Sequence, residues 1–248
     1  MSVDSTTLRH WVAVPVFLIA LTANVSANLL EDTVFEIITK STLMPLLVWH
    51  LALNFTFSNL WTIWTFGVAL ALAFVGDVAL LFEGDVAFAV GMVAFFLTHV
   101  LYSVVFVAIL SGKAQAYVEV PPVVYRVLIA VSVLVYGVAL ALAIWLAVTE
   151  VAVPLSIGVV VYMVAVAFMA CVAPALLAWG VVGALLFAVS DSVLAAKRFL
   201  EPTWFPEDRY VEAFIMATYG LAQLLFTQGI VYAYDWHRMR KRQRLEDS

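Results

Sequence analysis

Charged residues are scarce in this sequence. Of its 248 residues only 12% are Asp, Glu, Lys or Arg, against about 25% in soluble domains. Hydrophobic residues make up 65% of the chain, and the mean hydropathy is +1.07. This composition excludes a soluble globular domain. Collagen and coiled coils are excluded as well, because the chain lacks the short periodic sequence repeats on which those structures depend. We therefore predict an all-α, polytopic membrane protein that forms a single integral membrane domain over residues 1–248.

Cysteine and the familiar catalytic motifs are also missing. The single cysteine, Cys171, has no internal disulfide partner and is typical of a small buried hydrophobe. The sequence contains no Walker loop, no glycine-rich dinucleotide turn, no HExxH motif and no GxSxG elbow, so covalent serine hydrolysis is not supported. A zinc site needs three or four ligands, and the apolar stretches offer only two histidines and two aspartates. We predict no metal and no cofactor. The net charge of −5 gives no indication of nucleic-acid binding.

Uncharged stretches divide the chain into eight predicted spans. A helix needs roughly 20 apolar residues to cross the hydrocarbon of a membrane. Two stretches are too long for one span, and they break at the polar residues 54–59 and at residues 172–174, which include a proline. The predicted spans are 10–30, 42–57, 60–82, 86–110, 124–147, 153–172, 175–198 and 210–235. Short motifs shared by the third and seventh spans suggest a four-plus-four repeat with parallel halves.

The distribution of basic residues predicts the orientation of these spans. The N-terminus lacks a basic region ahead of its apolar run, so the first span is predicted to be retained. With that terminus inside, eight of the twelve Lys and Arg residues lie on the inner side and four on the outer side. The positive-inside rule then places both termini in the cytoplasm and the protein in the cell membrane. Residues 236–248 form a basic cytoplasmic tail that anchors this topology.

Two carboxylates lie well inside the predicted spans. Asp77 and Asp191 would each cost at least about 2.5–3.5 kcal/mol if they faced lipid, so they are predicted to face the interior of the bundle. The third and seventh spans run in the same direction, which puts both carboxyls in one layer, roughly 8–10 Å below one surface at 1.5 Å per residue. Each follows a small residue, Gly76 or Ser190, that allows close approach by a neighbour. A pair of acids hydrogen-bonded for packing remains an alternative.

Other polar side chains are predicted to converge on the same layer. Lys40 lies at the outer entrance of the second span, where a snorkelling interfacial lysine is equally typical. Tyr219 and Gln223 are four residues apart on one face of the eighth span. His99 and Tyr102 are three residues apart on the fourth span. Each pair taken alone is typical of interhelical hydrogen bonding.

The chemistry that this layer supplies is acid/base chemistry. Two neighbouring carboxyls in a region of low dielectric constant can hold different protonation states near neutral pH. One carboxyl can then donate a proton while the other stabilises positive charge.

The sequence resembles the YhhN-like lysoplasmalogenases, eight-helix membrane proteins that hydrolyse the vinyl ether of lysoplasmalogens. Four groups of residues carry the resemblance: 39–40 with 43–47; 76–78 with Gly91, Phe95, His99 and Tyr102; 183–192 running to Phe199; and 218–219 with 222–223. Family members usually have proline after the lysine, whereas this chain has Ser41. The resemblance implies that Asp77 and Asp191 are catalytic. It also implies a substrate pocket lined by Lys40, His99, Tyr219 and Gln223, to which we add Tyr102 and Ser190 as substrate-binding residues from the same motifs.

The activity implied by this resemblance is release of a fatty aldehyde and glycerophosphocholine or glycerophosphoethanolamine. The expected partners are a lysophospholipid substrate and membrane lipids, with no nucleic acid and no protein partner. Asp191 is the predicted general acid and Asp77 the charge stabiliser or base, although the roles could be exchanged. Lys40 would meet the lipid phosphate as a point charge.

Three other functions use the same residues. A proton-coupled transporter would use the buried aspartates as a relay, although no span has paired glycine or proline interruptions at its middle. A retinal-type photoreceptor would need a buried lysine, whereas Lys197 lies at the end of the seventh span. A metal-dependent membrane lipid amidase or esterase is the closest alternative.

Overall fold

The structure, a computed structural model, describes residues 5–54, 60–112, 153–200 and 205–246, with a few single positions between 123 and 137. These residues form an all-α fold of seven α-helices and one short 3₁₀ helix. The helices are α1 (Ser5–Leu30), α2 (Thr33–Asn54), α3 (Leu60–Ala79), α4 (Asp85–Leu110), α5 (Val153–Val172), α6 (Leu177–Leu200) and α7 (Asp208–Glu246), and the 3₁₀ helix Ala173–Leu176 joins α5 to α6.

Six segments of the described residues are long and apolar enough to cross a membrane. They are Val12–Leu30, Thr33–Asn54, Leu60–Ala79, Asp85–Leu110, Gly158–Phe199 and Asp208–Tyr234, and the fifth contains both α5 and α6. These segments are consistent with an integral membrane protein. The predicted span 124–147 lies outside the described residues, so neither eight spans nor the four-plus-four repeat is confirmed. The cytoplasmic position of the termini, the single domain and the basic tail at 236–248 stay predictions.

The start of α2 differs from its sequence prediction. The helix begins at Thr33, nine residues before the predicted span at 42. The backbone N–H of Phe35 donates to Asp32 Oδ1 at 3.0 Å, and such a side-chain cap offsets the loss of a helix-terminal hydrogen bond. The capping residue Asp32, rather than the first residue of the uncharged stretch, therefore determines where α2 begins. Lys40, predicted at the entrance of a span, lies well inside α2 and is only 5% exposed.

Helix α7 packs against helices from both the N-terminal and the C-terminal parts of the chain. It contacts α6 most extensively and also packs on α1 and α2, while α3 packs on α4 and α2. Helix α5 packs on α4 and α6. Fully buried aromatic side chains fill the interior between these helices: Phe17, Phe66, Tyr102, Phe106, Phe187 and Phe226. The bundle thus has a dry aromatic centre, and its polar cavity lies toward one end.

The predicted break at residues 172–174 coincides with the 3₁₀ helix between α5 and α6. Pro174 occupies its first turn, and Leu177 after it has a φ of 57°. The 3₁₀ helix folds back over α6 so closely that the carbonyl oxygen of Ala173 occupies the space where Gly180 would carry a Cβ. Position 180 therefore requires glycine because of this close backbone approach.

Gly180→Ala is expected to lower the free energy of unfolding by at least about 1–3 kcal/mol, the usual cost of overpacking. The added methyl can be accommodated only if the 3₁₀ helix shifts. The measurement is thermal or denaturant unfolding in detergent micelles. Gly67→Ala in α3 is the matched control, because no atom lies within 4 Å of a Cβ built there. Equal stability of the two variants would contradict the prediction.

Candidate active site

One cavity, of about 460 Å³, lies at the end of the bundle where α3 and α6 end and where α4 and α7 begin. Both membrane-depth aspartates, Asp77 and Asp191, line it. Its other lining residues are Lys40, Leu80, Phe82, Glu83, Gly84, Phe88, Phe95, Ser190, Leu194, Lys197, Arg198, Glu212, Ile215, Met216 and Tyr219. The walls are mainly apolar, and the charged side chains come from four helices and from the turn between α3 and α4.

Asp77 is held at the inner wall of this cavity. It lies near the C-terminal end of α3 and is 2% exposed. The hydroxyl of Tyr219 donates a hydrogen bond to Asp77 Oδ2 at 3.0 Å, and the ammonium of Lys40 lies close enough to act on the carboxyl by its charge. The ring of Phe95 packs across the preceding residue, Gly76, in the space that a Cβ would fill. The predicted close approach at Gly76 is therefore observed.

Asp191 has a different set of neighbours. The hydroxyl of Tyr162 donates to Asp191 Oδ2 at 2.6 Å, and Tyr162 belongs to α5. His99 Nε2 lies 3.1 Å from the Tyr162 oxygen and 3.8 Å from Asp191 Oδ2. The carboxyl side chain is 11% exposed, whereas the side chain of His99 is completely buried. Three helices therefore meet at this carboxyl through one chain of hydrogen-bonding groups.

The mouth of the cavity carries two cations. Lys197 Nζ donates to Glu212 Oε1 at 2.7 Å, and it lies 3.5 Å from Asp208 Oδ2. Arg198 pairs with Asp85 and lies 5.2 Å from the centre of the Phe88 ring. Lys197, Glu212 and Arg198 are only partly exposed, whereas Asp85 and Asp208 are exposed. The pairs join the end of α6 to the starts of α4 and α7.

A small apolar crevice adjoins the cavity between α4, α5 and α6. Its volume is about 50 Å³, and Asp191 and Phe95 line both spaces. Val159 and Met163 of α5, together with Leu194 of α6, line the crevice. Asp191 thus stands where a charged cavity meets a hydrocarbon-like cleft.

The structure separates the predicted site residues into two groups. Lys40, Asp77, Ser190, Asp191 and Tyr219 line the cavity, although the Ser190 hydroxyl donates to the backbone oxygen of Ile215 at 3.1 Å. The other predicted residues, His99, Tyr102 and Gln223, are fully buried behind it and are not among its lining residues.

Tyr102 and Gln223 form a pair in the interior. The Tyr102 hydroxyl donates to Gln223 Oε1 at 2.5 Å, and its ring stacks on Phe66 with centroids 4.8 Å apart. Neither side chain lines the cavity, and their predicted role in substrate binding stays a prediction. Both side chains instead pack beneath the cavity floor.

Tyr162 was not predicted from the sequence. It is a single tyrosine in an apolar stretch, and nothing in its spacing distinguishes it from a packing residue. The pattern that would have found it is three-dimensional, because its partner Asp191 lies 29 residues away on the next helix. Among the residues that the structure describes, no three His, Cys, Asp or Glu side chains are grouped so as to hold a metal ion.

Comparison with known proteins identifies the family. Neither the curated proteins nor the solved structures contain a match to the chain. A comparison with protein-family models matches the YhhN family over residues 35–230. The matched region extends from the start of α2 to beyond the last residue of the cavity, so it contains both aspartates and the neighbouring side chains described above. The chain is a member of the YhhN family.

Proposed function

We propose that this protein is a membrane hydrolase that cleaves the vinyl ether bond of lysoplasmalogens. The observation that carries the proposal is that Asp77 and Asp191, each hydrogen-bonded to a tyrosine hydroxyl, line the same cavity at one end of an apolar bundle. Vinyl ether hydrolysis requires a proton donor and a nearby negative charge, and membership of the YhhN family agrees with this activity.

The proposed reaction begins with protonation of the outer vinyl carbon by a carboxylic acid. The resulting oxocarbenium ion is stabilised by the second carboxyl, much as in glycoside hydrolysis. Water adds to the cationic carbon and loses a proton to a carboxylate, which restores the acid. The hemiacetal then collapses to a fatty aldehyde and the glycerophospho-base. We assign Asp191 as the acid and Asp77 as the charge stabiliser.

The arrangement of charge suits a lipid whose reactive bond lies between a headgroup and a chain. Lys197 and Arg198 at the mouth and buried Lys40 provide positive charge for a phosphate. The apolar crevice begins at Asp191 and can accept the first carbons of the chain. A vinyl ether between these two regions would lie beside the carboxyl.

Aromatic side chains pack beneath the cavity floor. Tyr102 stacks on Phe66 and Phe106, and Phe226 packs against Tyr102 with ring centroids 5.5 Å apart. These side chains are completely buried and lie farther along their helices from the cavity mouth than the two aspartates do.

Val159→Phe is expected to lower kcat/KM for a long-chain substrate about tenfold, which corresponds to about 1.4 kcal/mol. The larger ring fills the crevice in which we place the start of the chain. Val161→Phe is the matched control on the same helix, since Val161 is 50% exposed and lies outside both spaces. Kinetic constants for both variants test this placement. Equal losses in the two variants would contradict it.

The direct test uses the purified protein with three substrates. A lysoplasmalogen, its saturated alkyl ether and its ester analogue are incubated separately, and released aldehyde and fatty acid are measured. We expect aldehyde from the vinyl ether only. Cleavage of the ester without cleavage of the vinyl ether would instead indicate a lipid esterase. Proton-coupled uptake into proteoliposomes without lipid turnover would indicate a transporter.

A further inference from the structure

The fully buried His99 and its neighbour Tyr162 have no role in the reaction as described so far. They belong to α4 and α5: His99 lies behind Asp191 and lines neither the cavity nor the crevice, whereas Tyr162 lines the crevice beside Asp191. We infer that Tyr162, held by His99, is a positioning residue that occupies one oxygen of Asp191 and leaves the other for the substrate. The kinetic part of this inference rests on the proposed function, whereas its structural part does not.

The direction of the hydrogen bonds follows from counting hydrogens. A tyrosine hydroxyl has one hydrogen, and that of Tyr162 is directed to Asp191 Oδ2 at 2.6 Å. The contact of 3.1 Å between the Tyr162 oxygen and His99 Nε2 must then be donated by the imidazole. His99 is therefore assigned as the tautomer that carries its proton on Nε2.

The other imidazole nitrogen supports this tautomer independently. His99 Nδ1 is buried and has no hydrogen-bond partner among the described residues. A proton on Nδ1 would leave an N–H group buried without an acceptor, which costs free energy. An unprotonated Nδ1 leaves only a lone pair unsatisfied. The ring is also held on edge against Phe187 and Tyr162, with centroids 4.7 Å and 5.4 Å away.

The consequence for Asp191 concerns its two oxygens. Oδ2 accepts the hydrogen bond from Tyr162, and Oδ1 has no hydrogen bond in the part of the chain that the structure describes. Since Asp191 lines the cavity, Oδ1 is the oxygen left to transfer a proton to the vinyl carbon. A hydrogen bond of 2.6 Å is short and directional, so Tyr162 would set the angle at which the acid meets its substrate.

Tyr162→Phe tests the inference by kinetics. We expect kcat to fall about 10- to 100-fold. This is the usual loss when a group that orients a metal ligand is removed, and Tyr162 is inferred to orient Asp191 in a similar way. KM should stay within about twofold, because phenylalanine keeps the aromatic ring that lines the crevice and removes only the hydroxyl. Tyr210→Phe is the matched control, since Tyr210 is exposed at the start of α7. His99→Gln, which keeps an N–H donor, should retain more activity than His99→Leu. Equal kcat in Tyr162→Phe and wild type, or equal activity of the two His99 variants, would overturn the inference.

A second measurement does not depend on any enzymatic activity. In ¹⁵N-labelled protein, the His99 resonances are identified by their loss in His99→Gln. We expect the pattern of a neutral imidazole protonated on Nε2, with the Nε2 resonance shifted in Tyr162→Phe and unchanged in Tyr210→Phe. A proton on Nδ1, or an Nε2 resonance unaffected by Tyr162→Phe, would overturn the inference. If the wild type released no aldehyde, the proposed function would fail, and this spectrum would still decide the positioning role.

Discussion

Asparagine in place of Asp191 is expected to lower the rate of aldehyde release by about 10²- to 10⁴-fold, the usual contribution of general acid catalysis. The amide has nearly the same shape, and its oxygen can still accept the hydrogen bond from Tyr162. It cannot donate a proton to carbon. The loss should therefore appear in kcat, with the substrate still bound, as measured by aldehyde release at saturating lysoplasmalogen.

Two controls make the Asp191 result interpretable. Glu207→Gln removes a carboxylate near the same end of the bundle, where Glu207 pairs with Arg209 outside the cavity, and should retain wild-type activity. The thermal unfolding temperature of Asp191→Asn should stay close to that of the wild type, because the amide has nearly the size of a protonated carboxyl and keeps the hydrogen bond from Tyr162. Full activity in Asp191→Asn would refute its role as the acid.

Replacing Asp77 by asparagine is expected to cause a second large loss, of about 10²- to 10³-fold in kcat, comparable with removal of one preorganised group that stabilises developing charge. The carboxyl is 2% exposed, so its charge acts on the oxocarbenium ion with little screening by water. Asparagine keeps the hydrogen bond from Tyr219 but removes the charge. Single-turnover measurements of aldehyde release report the chemical step directly.

Asp32→Asn is the matched control for Asp77→Asn. Asp32 caps α2 outside the cavity, and asparagine is an equally good cap, so both folding and activity should be preserved. If the solvent deuterium isotope effect is lost in Asp77→Asn and persists in Asp191→Asn, the assignment of acid and stabiliser must be exchanged. Wild-type rates in both aspartate variants would refute carboxylate catalysis as a whole.

The helix boundaries predicted from composition agree with the observed ones wherever a charged residue or a turn interrupts an apolar stretch. The break near Pro174 is observed, and α4 and α5 begin within one residue of their predicted starts at 86 and 153. The start of α2 is missed, because the cap at Asp32 acts through one hydrogen bond that hydropathy does not register. As a result Lys40, predicted at an interface, is buried beside Asp77.

The site was predictable only in part, for a related reason. Asp77 and Asp191 are conspicuous because charge is costly inside an apolar stretch, and spans that run in the same direction bring them to one end. Tyr102 and Gln223 share their helix faces with site residues, yet they bond to each other in the aromatic interior. Whether a polar residue lines the cavity depends on how far along its helix it lies relative to the cavity. The spacing of polar residues in the sequence does not show this.

The sequence by itself determined that the chain is helical, apolar enough for a membrane and equipped with two acids at similar depth, because these properties follow from local composition and from the cost of burying charge. Only the tertiary structure decided that Tyr219 bonds to Asp77, that Tyr162 lies between His99 and Asp191, and that Lys197 pairs with Glu212 at the mouth. Such contacts join different helices. They depend on how the bundle packs, and packing sums many weak interactions that no short stretch of sequence contains.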